Sequence, residues 1–170
     1  DETLAAITND HKIPLDSDFE NAIRTAVDAS FWYSPYEANE VGESFANGIA
    51  ALQIIGENGL GLAEGIEVGL ILVAPNVIYP LHDHVAQELY FVVSGSVNFQ
   101  KGFDDEPRRM TPGGYAIIPS GTPHKLATEV APALIAYVWT GRINCNVFWW
   151  EHVGGEYWRR FAPKYRRTRA

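Results

Sequence analysis

Three imidazoles and one carboxylate stand at a spacing that can converge on a single divalent metal: His82-x-His84-x-x-x-Glu88, followed later by His124. Mixed nitrogen and oxygen sets of this kind suit Fe, Mn, Co, Ni, Cu or Zn. A lone histidine is more often a core or surface residue than a ligand. Here, however, three of the five histidines fall into one pattern beside a carboxylate. The competing reading is a group of buried residues that only hydrogen-bond to one another. His11 and His152 fit no such pattern and read as ordinary residues.

Strands must position these groups. The run Tyr79-Pro80-Leu81-His82-Asp83-His84-Val85-Ala86-Gln87-Glu88-Leu89-Tyr90-Phe91-Val92-Val93-Ser94-Gly95 reads as strand, short turn, strand, because β-branched and aromatic residues flank a polar centre. Side chains alternate faces on a strand, so His82 and His84 point one way and Glu88 and Tyr90 share a face across the turn. The hairpin thus offers three ligands with a phenol beside them. His124 ends a second strand, Gly113 through His124, punctuated by Pro119, Gly121 and Pro123. Only a sheet curled on itself brings His124 back to His84.

The neighbours narrow the chemistry. A phenol normally ionises near pH 10, but an adjacent cation favours the phenolate. Tyr90 is therefore either a base or a packed residue that orients Glu88. Tyr79 stands at the mouth of the first ligand strand, and Tyr137 and Trp139 share one face of a late strand. Aromatic faces attract cations by about 0.5–2 kcal/mol each, which would suit a positively charged onium substrate. Aromatics also fill small barrels simply as core.

The two segments resemble the two signature motifs of the cupin superfamily, small antiparallel jelly-roll β-barrels. The likeness includes Gly95, Gly113, Pro119, Gly121 and His124, with Asn76 where the first motif usually opens with Gly and Thr128 where the second usually closes with Asn. More narrowly, the stretch from Tyr79 to Gly95, the N-terminal extension and Trp139 are similar to the cupin-type dimethylsulfoniopropionate lyases, the DddL, DddQ and DddW group. That resemblance implies a mainly β cupin barrel with an N-terminal α-helical extension, and a single divalent metal (Zn, Fe, Mn, Co or Ni) on His82, His84, Glu88 and His124. It further implies Tyr90 as catalytic base, and Tyr79 and Trp139 as substrate-pocket positions. The implied substrate is a sulfonium zwitterion, cleaved by β-elimination to dimethyl sulfide and acrylate. Aromatic faces would then hold the sulfonium without a formal anion beside it. One scaffold hosts many reactions, so an Fe(II) dioxygenase and a non-catalytic small-molecule binder stay open as alternatives.

The rest of the chain is read from pattern. Ser17-Asp18-Phe19-Glu20 has the form of a capping box, and Phe19, Ile23, Ala26 and Val27 repeat at helical spacing, so a first helix is expected over about 18–29. A second helical pattern runs through Val41, Phe45, Ile49 and Leu52. Between them, 32–36 is the candidate for an aromatic loop over the site. Strands are expected at 64–74, 77–84, 88–100, 115–119, 124–128, 133–141 and 146–150, with a turn at 102–107. The organisation expected is one domain over 1–170: a helical extension over about 1–60, a barrel over about 61–158 and a basic tail over about 159–170.

Composition sets the outer bounds. At 170 residues and 46% hydrophobic, the chain can bury a sizeable core. Its one cysteine, Cys145, excludes an internal disulfide. No apolar stretch reaches membrane-spanning length, and the beginning lacks a basic-then-apolar leader, so a cytoplasmic protein is expected. The net charge is −8 although six of the 13 basic residues (Arg159, Arg160, Lys164, Arg166, Arg167, Arg169) crowd the last twelve positions. So acidic a body argues against nucleic-acid binding. The tail, interleaved with Trp158, Phe161 and Tyr165, is expected to be solvated or to pack on an acidic surface of its own chain or a partner. Open strand edges and the extension make a homodimer the expected assembly.

Overall fold

Period-two apolar stretches build two antiparallel sheets that face each other. The computed structural model describes residues 15–162. Its helices are α1 (Ser17–Ala29), α2 (Ala38–Val41) and α3 (Glu43–Asn47). The strands are β1 (Ile49–Ile55), β2 (Ile66–Val73), β3 (Ile78–Asp83), β4 (Gln87–Ser94), β5 (Val97–Lys101), β6 (Arg108–Met110), β7 (Tyr115–Ile118), β8 (His124–Thr128), β9 (Ala133–Thr140), β10 (Phe148–Gly154) and β11 (Tyr157–Phe161). One sheet runs β1-β2-β9-β4-β7 and the other β11-β10-β3-β8-β5-β6. The core lies between them, with Ile71, Val92, Ile118, Leu126 and Ile135 buried together. This is the mainly β jelly roll with a helical extension that the motifs implied.

Helix α1 presents the expected stripe: Ala26 is buried, and Phe19, Ile23 and Val27 are half-buried. Phe19 meets Phe91 edge-on at 5.3 Å between centroids, so α1 packs on the outer face of β4. The cap is Asp16 rather than Ser17, its carboxylate accepting from the Phe19 backbone N–H at 2.8 Å. A carboxylate at that position also faces the positive end of the helix dipole.

The second helical pattern is corrected. Gly42, at φ 87°, separates α2 from α3, and the chain is strand from Ile49 onward. Ile49 and Leu52 thus belong to β1, which pairs with β2, and the barrel begins earlier than about 61. Ile49 to Leu52 is an unbroken apolar run that fits a helix or a strand buried on both faces, and only pairing with β2 decided it. Likewise, the expected 88–100 strand turns at Gly95 into β4 and β5. β6 and β11 lie where no strand was expected, being short and rich in arginine.

The two departures from the cupin motifs are spatial neighbours. Asn76 adopts φ 57°, the left-handed conformation that asparagine tolerates better than other non-glycine residues. Beneath that turn, the Thr128 hydroxyl donates to Ala74 O at 2.6 Å and accepts from Val77 N–H at 3.0 Å. Thr128 thereby ties β8 to the entrance of β3.

Part of the basic tail is strand. Arg160, on β11, forms a two-point ion pair with the buried Asp83 and lies 3.8 Å from the Phe148 ring centroid. Trp158 packs on Phe103. Lys164, Tyr165, Arg166, Arg167, Arg169 and His11 lie outside the described residues.

Candidate metal centre

β3 and its turn supply His82 and His84, β4 supplies Glu88, and β8 supplies His124. Their ligand atoms all lie within 4.8 Å of one another. Pairing explains the convergence: His82 stands opposite His124 in the β3–β8 ladder. The Gly121 N–H donates to His84 O at 2.8 Å, fastening the turn before His124 to the end of β3. All four side chains are at most 4% exposed, so bulk water is excluded.

Each ring is oriented in the same way. The Nδ1 atoms of His82, His84 and His124 lie 2.7, 3.0 and 2.9 Å from the carbonyl oxygens of Pro80, Ala86 and Thr122. A carbonyl can only accept, so Nδ1 carries the proton and Nε2 is left as a lone pair. His84 Nε2 and His124 Nε2 then face Glu88 Oε2 at 2.9 and 3.1 Å. Two imidazole lone pairs and a carboxylate oxygen at this range, away from water, repel unless a cation lies among them. The donor set therefore fits a divalent ion.

Charge states agree. Burial, then the neighbouring His124 and His84, push the His82 imidazolium well below its ordinary range, leaving the neutral form that ligates. Burial pushes Glu88 upward, whereas donation or positive charge at His124 and His84 pulls its carboxyl down; with both rings as neutral ligands, a bound cation would supply that charge. The other carboxylate oxygen, Oε1, accepts from Trp139 Nε1 at 2.7 Å.

A pocket opens beside this cluster, lined by Tyr33, Tyr36, Glu67, Tyr79, Glu88, Tyr90, Tyr137 and Trp139. Tyr90 is paired with Tyr137 on β9 and Ala116 on β7, and its ring lies 5.8 Å from that of His124. Burial, then the Glu88 charge and Tyr36, push the Tyr90 phenol well above its ordinary value. The protein's own field thus keeps Tyr90 protonated, the reverse of what a neighbouring cation does.

Tyr79 is stacked on His82, 4.3 Å between centroids and 8° between planes, and its hydroxyl is hydrogen-bonded to that of Tyr36. Strict alternation would send Tyr79 and His82 to opposite faces. A bulge in β3 between Tyr79 and His82, at Pro80 and Leu81, restores the shared face. The aromatic loop at 32–36 reaches the pocket and is pinned to β1 by paired backbone bonds between Tyr33 and Ala51. Sequence reasoning missed Glu67, although an acid at the alternation that carries Gly69 and Ile71 inward was a signal. Its carboxylate is the formal anion that the aromatic-cavity picture lacked.

Comparisons with known proteins come to the same place. The chain is 31% identical over 114 residues to the dimethylsulfoniopropionate lyase DddQ of Ruegeria pomeroyi, covering 66% of this chain and 56% of that protein, so it spans little more than half of that relative's length. The crystal structure of DddQ from the same organism superimposes with a TM-score of 0.68 at 26% identity, covering 84% of this chain and 73% of that one. A sugar phosphate isomerase from the cupin superfamily of Silicibacter pomeroyi matches with a TM-score of 0.61 at 20% identity, covering 80% and 90%, a likeness of fold alone. The sequence profile of the dimethylsulfoniopropionate lyases matches residues 1–135, which include His82, His84, Glu88 and His124, and the chain belongs to that family.

Proposed function

We propose that this chain is a metal-dependent carbon–sulfur lyase that converts dimethylsulfoniopropionate to dimethyl sulfide and acrylate. The supporting observation is the juxtaposition of a buried three-histidine, one-glutamate cluster with the Tyr90 phenol inside an aromatic pocket. A divalent ion on His82, His84, Glu88 and His124 (Zn, Fe, Mn, Co or Ni) supplies a Lewis acid for the substrate carboxylate and a positive charge opposing what raises Tyr90. Tyr90, as phenolate, takes the proton α to the carboxylate on its oxygen. The electron pair left behind forms the Cα–Cβ double bond, and the Cβ–S pair departs on sulfur, neutralising the sulfonium. Trp139 holds Glu88 in place, while Tyr79 and Trp139 wall the substrate and exclude water.

The test is headspace gas chromatography for dimethyl sulfide from metal-assayed protein, with a chelated control. Release that stops on chelation and returns with added metal is expected. Silence from a fully loaded sample, or oxygen uptake instead of sulfide release, overturns the reading. Among the described residues no helix is long and apolar enough to cross a membrane. A cytoplasmic homodimer completes the proposal, the assembly supported by the open edges of β7, β6 and β11; sedimentation velocity tests it.

A further inference from the structure

One charged pocket residue has no part in that mechanism. Glu67 lies on β2 opposite Trp139 of β9, whose other cross-strand neighbour is Glu88 of β4. The two glutamates thus stand in one row with an indole between them, two strand spacings or about 10 Å apart at the backbone. Glu67 lines the same pocket as Tyr79, Glu88 and Tyr90. Its Oε1 accepts from the Tyr137 hydroxyl at 2.9 Å, which aims the carboxylate. Tyr137 gains that position by leaning over Gly69, where any Cβ would lie 2.6 Å from the Tyr137 ring. Among the described residues, no lysine or arginine lines the pocket.

We infer that Glu67 is the countercharge for the cationic end of the substrate, an inference that rests on the lyase reading. The zwitterion lies along the row, its carboxylate toward the histidine cluster and its sulfonium over Trp139 and Tyr137 toward Glu67. Donation from Tyr137 disperses the Glu67 charge, which lessens attack by that carboxylate on the sulfonium methyls. Acrylate keeps the anionic end and has lost the cation, so it loses the Glu67 attraction and departs.

Two unreactive carboxylates of one shape test this: 3-(trimethylammonio)propionate, which carries the cation, and 4,4-dimethylpentanoate, which has carbon in place of nitrogen. Calorimetric titration of zinc-loaded wild type should show the zwitterion bound at least about tenfold more tightly than its neutral isostere. Glu67→Gln, which still offers Tyr137 an acceptor, should cut that preference by about fivefold or more, leaving only the share of the Trp139 and Tyr137 rings, and keep the isostere within about twofold. Glu67→Asp should retain more of the preference. A preference undiminished in Glu67→Gln, equal weakening of both ligands, or no preference in wild type overturns the inference. Dimethyl sulfide release from the same wild-type preparation separates the two claims: a charge preference cut in Glu67→Gln without any release sinks the lyase reading and leaves Glu67 as a cation site.

Discussion

Trp139 and Glu88 are paired by register across the β4–β9 ladder, and the indole N–H donates to Glu88 Oε1 at 2.7 Å while Oε2 faces His84 and His124. One carboxylate oxygen is thus held by the sheet and the other presented to the cluster. The Trp139 ring also lies 4.2 Å from that of His84, so one side chain braces two members of the set.

Trp139→Phe keeps most of that packing and removes the donor. Metal affinity should fall by about 10–100-fold, the usual cost of losing an outer-shell partner of a metal ligand. Competition with a chromophoric chelator measures it, and unchanged affinity would remove Trp139 from the support of Glu88.

Tyr90→Phe removes one oxygen from the pocket wall. Elimination should drop by about 10²–10⁴-fold, the range typical of a lost general base, with metal content by mass spectrometry equal to wild type. Retained turnover would transfer the base role elsewhere, and lost metal would mean that Tyr90 serves the cluster instead.

Asp83 lies between two of the histidines, only 2% exposed, and faces away from them. Its Oδ2 accepts from Trp150 Nε1 at 2.6 Å and from Arg160 Nε at 2.8 Å, clamping β10 and β11 to the ligand strand. Asp83→Ala removes the charged acceptor of the half-buried Trp150 indole N–H and should cost about 1–3 kcal/mol. Thermal denaturation should show a Tm lowered by several degrees. An unaltered Tm would mean that hairpin pairing alone holds β11.

Burial raises the phenols of Tyr79 and Tyr137 above their ordinary value, with Tyr36 adding to the first and the Glu67 charge to the second. Unfolding releases both to ionise near pH 10, so above that pH the unfolded chain binds fewer protons than the folded one. Their contribution is complete below about pH 10 and is lost as pH climbs, by about 1.4 kcal/mol per unit for each phenol. Urea midpoints between pH 9 and 11.5 should fall accordingly, and less steeply in Tyr137→Phe.

The sequence by itself picked out the candidate ligand cluster, because spacing on a strand converts directly into facing: His82 with His84, and Glu88 with Tyr90. Period-two stretches marked the strands, the resemblance to the cupin motifs implied their antiparallel jelly-roll class, and the stripe of Phe19, Ile23, Ala26 and Val27 marked α1. Asn76 and Thr128, visible in the sequence only as two separate departures, proved to be one contact between a left-handed turn and the hydroxyl beneath it. Tertiary structure decided whatever depended on partners distant in the chain. Ile49 and Leu52 became strand because β2 offered an edge to pair with. Tyr79 joined His82 on the inner face because a bulge shifted the alternation by one residue. Glu67 became a pocket residue because register placed it beside Trp139, and Trp139 beside Glu88. Alternation is a local property of one strand, whereas register and bulges belong to pairs of strands, and a single sequence carries no direct signal for them.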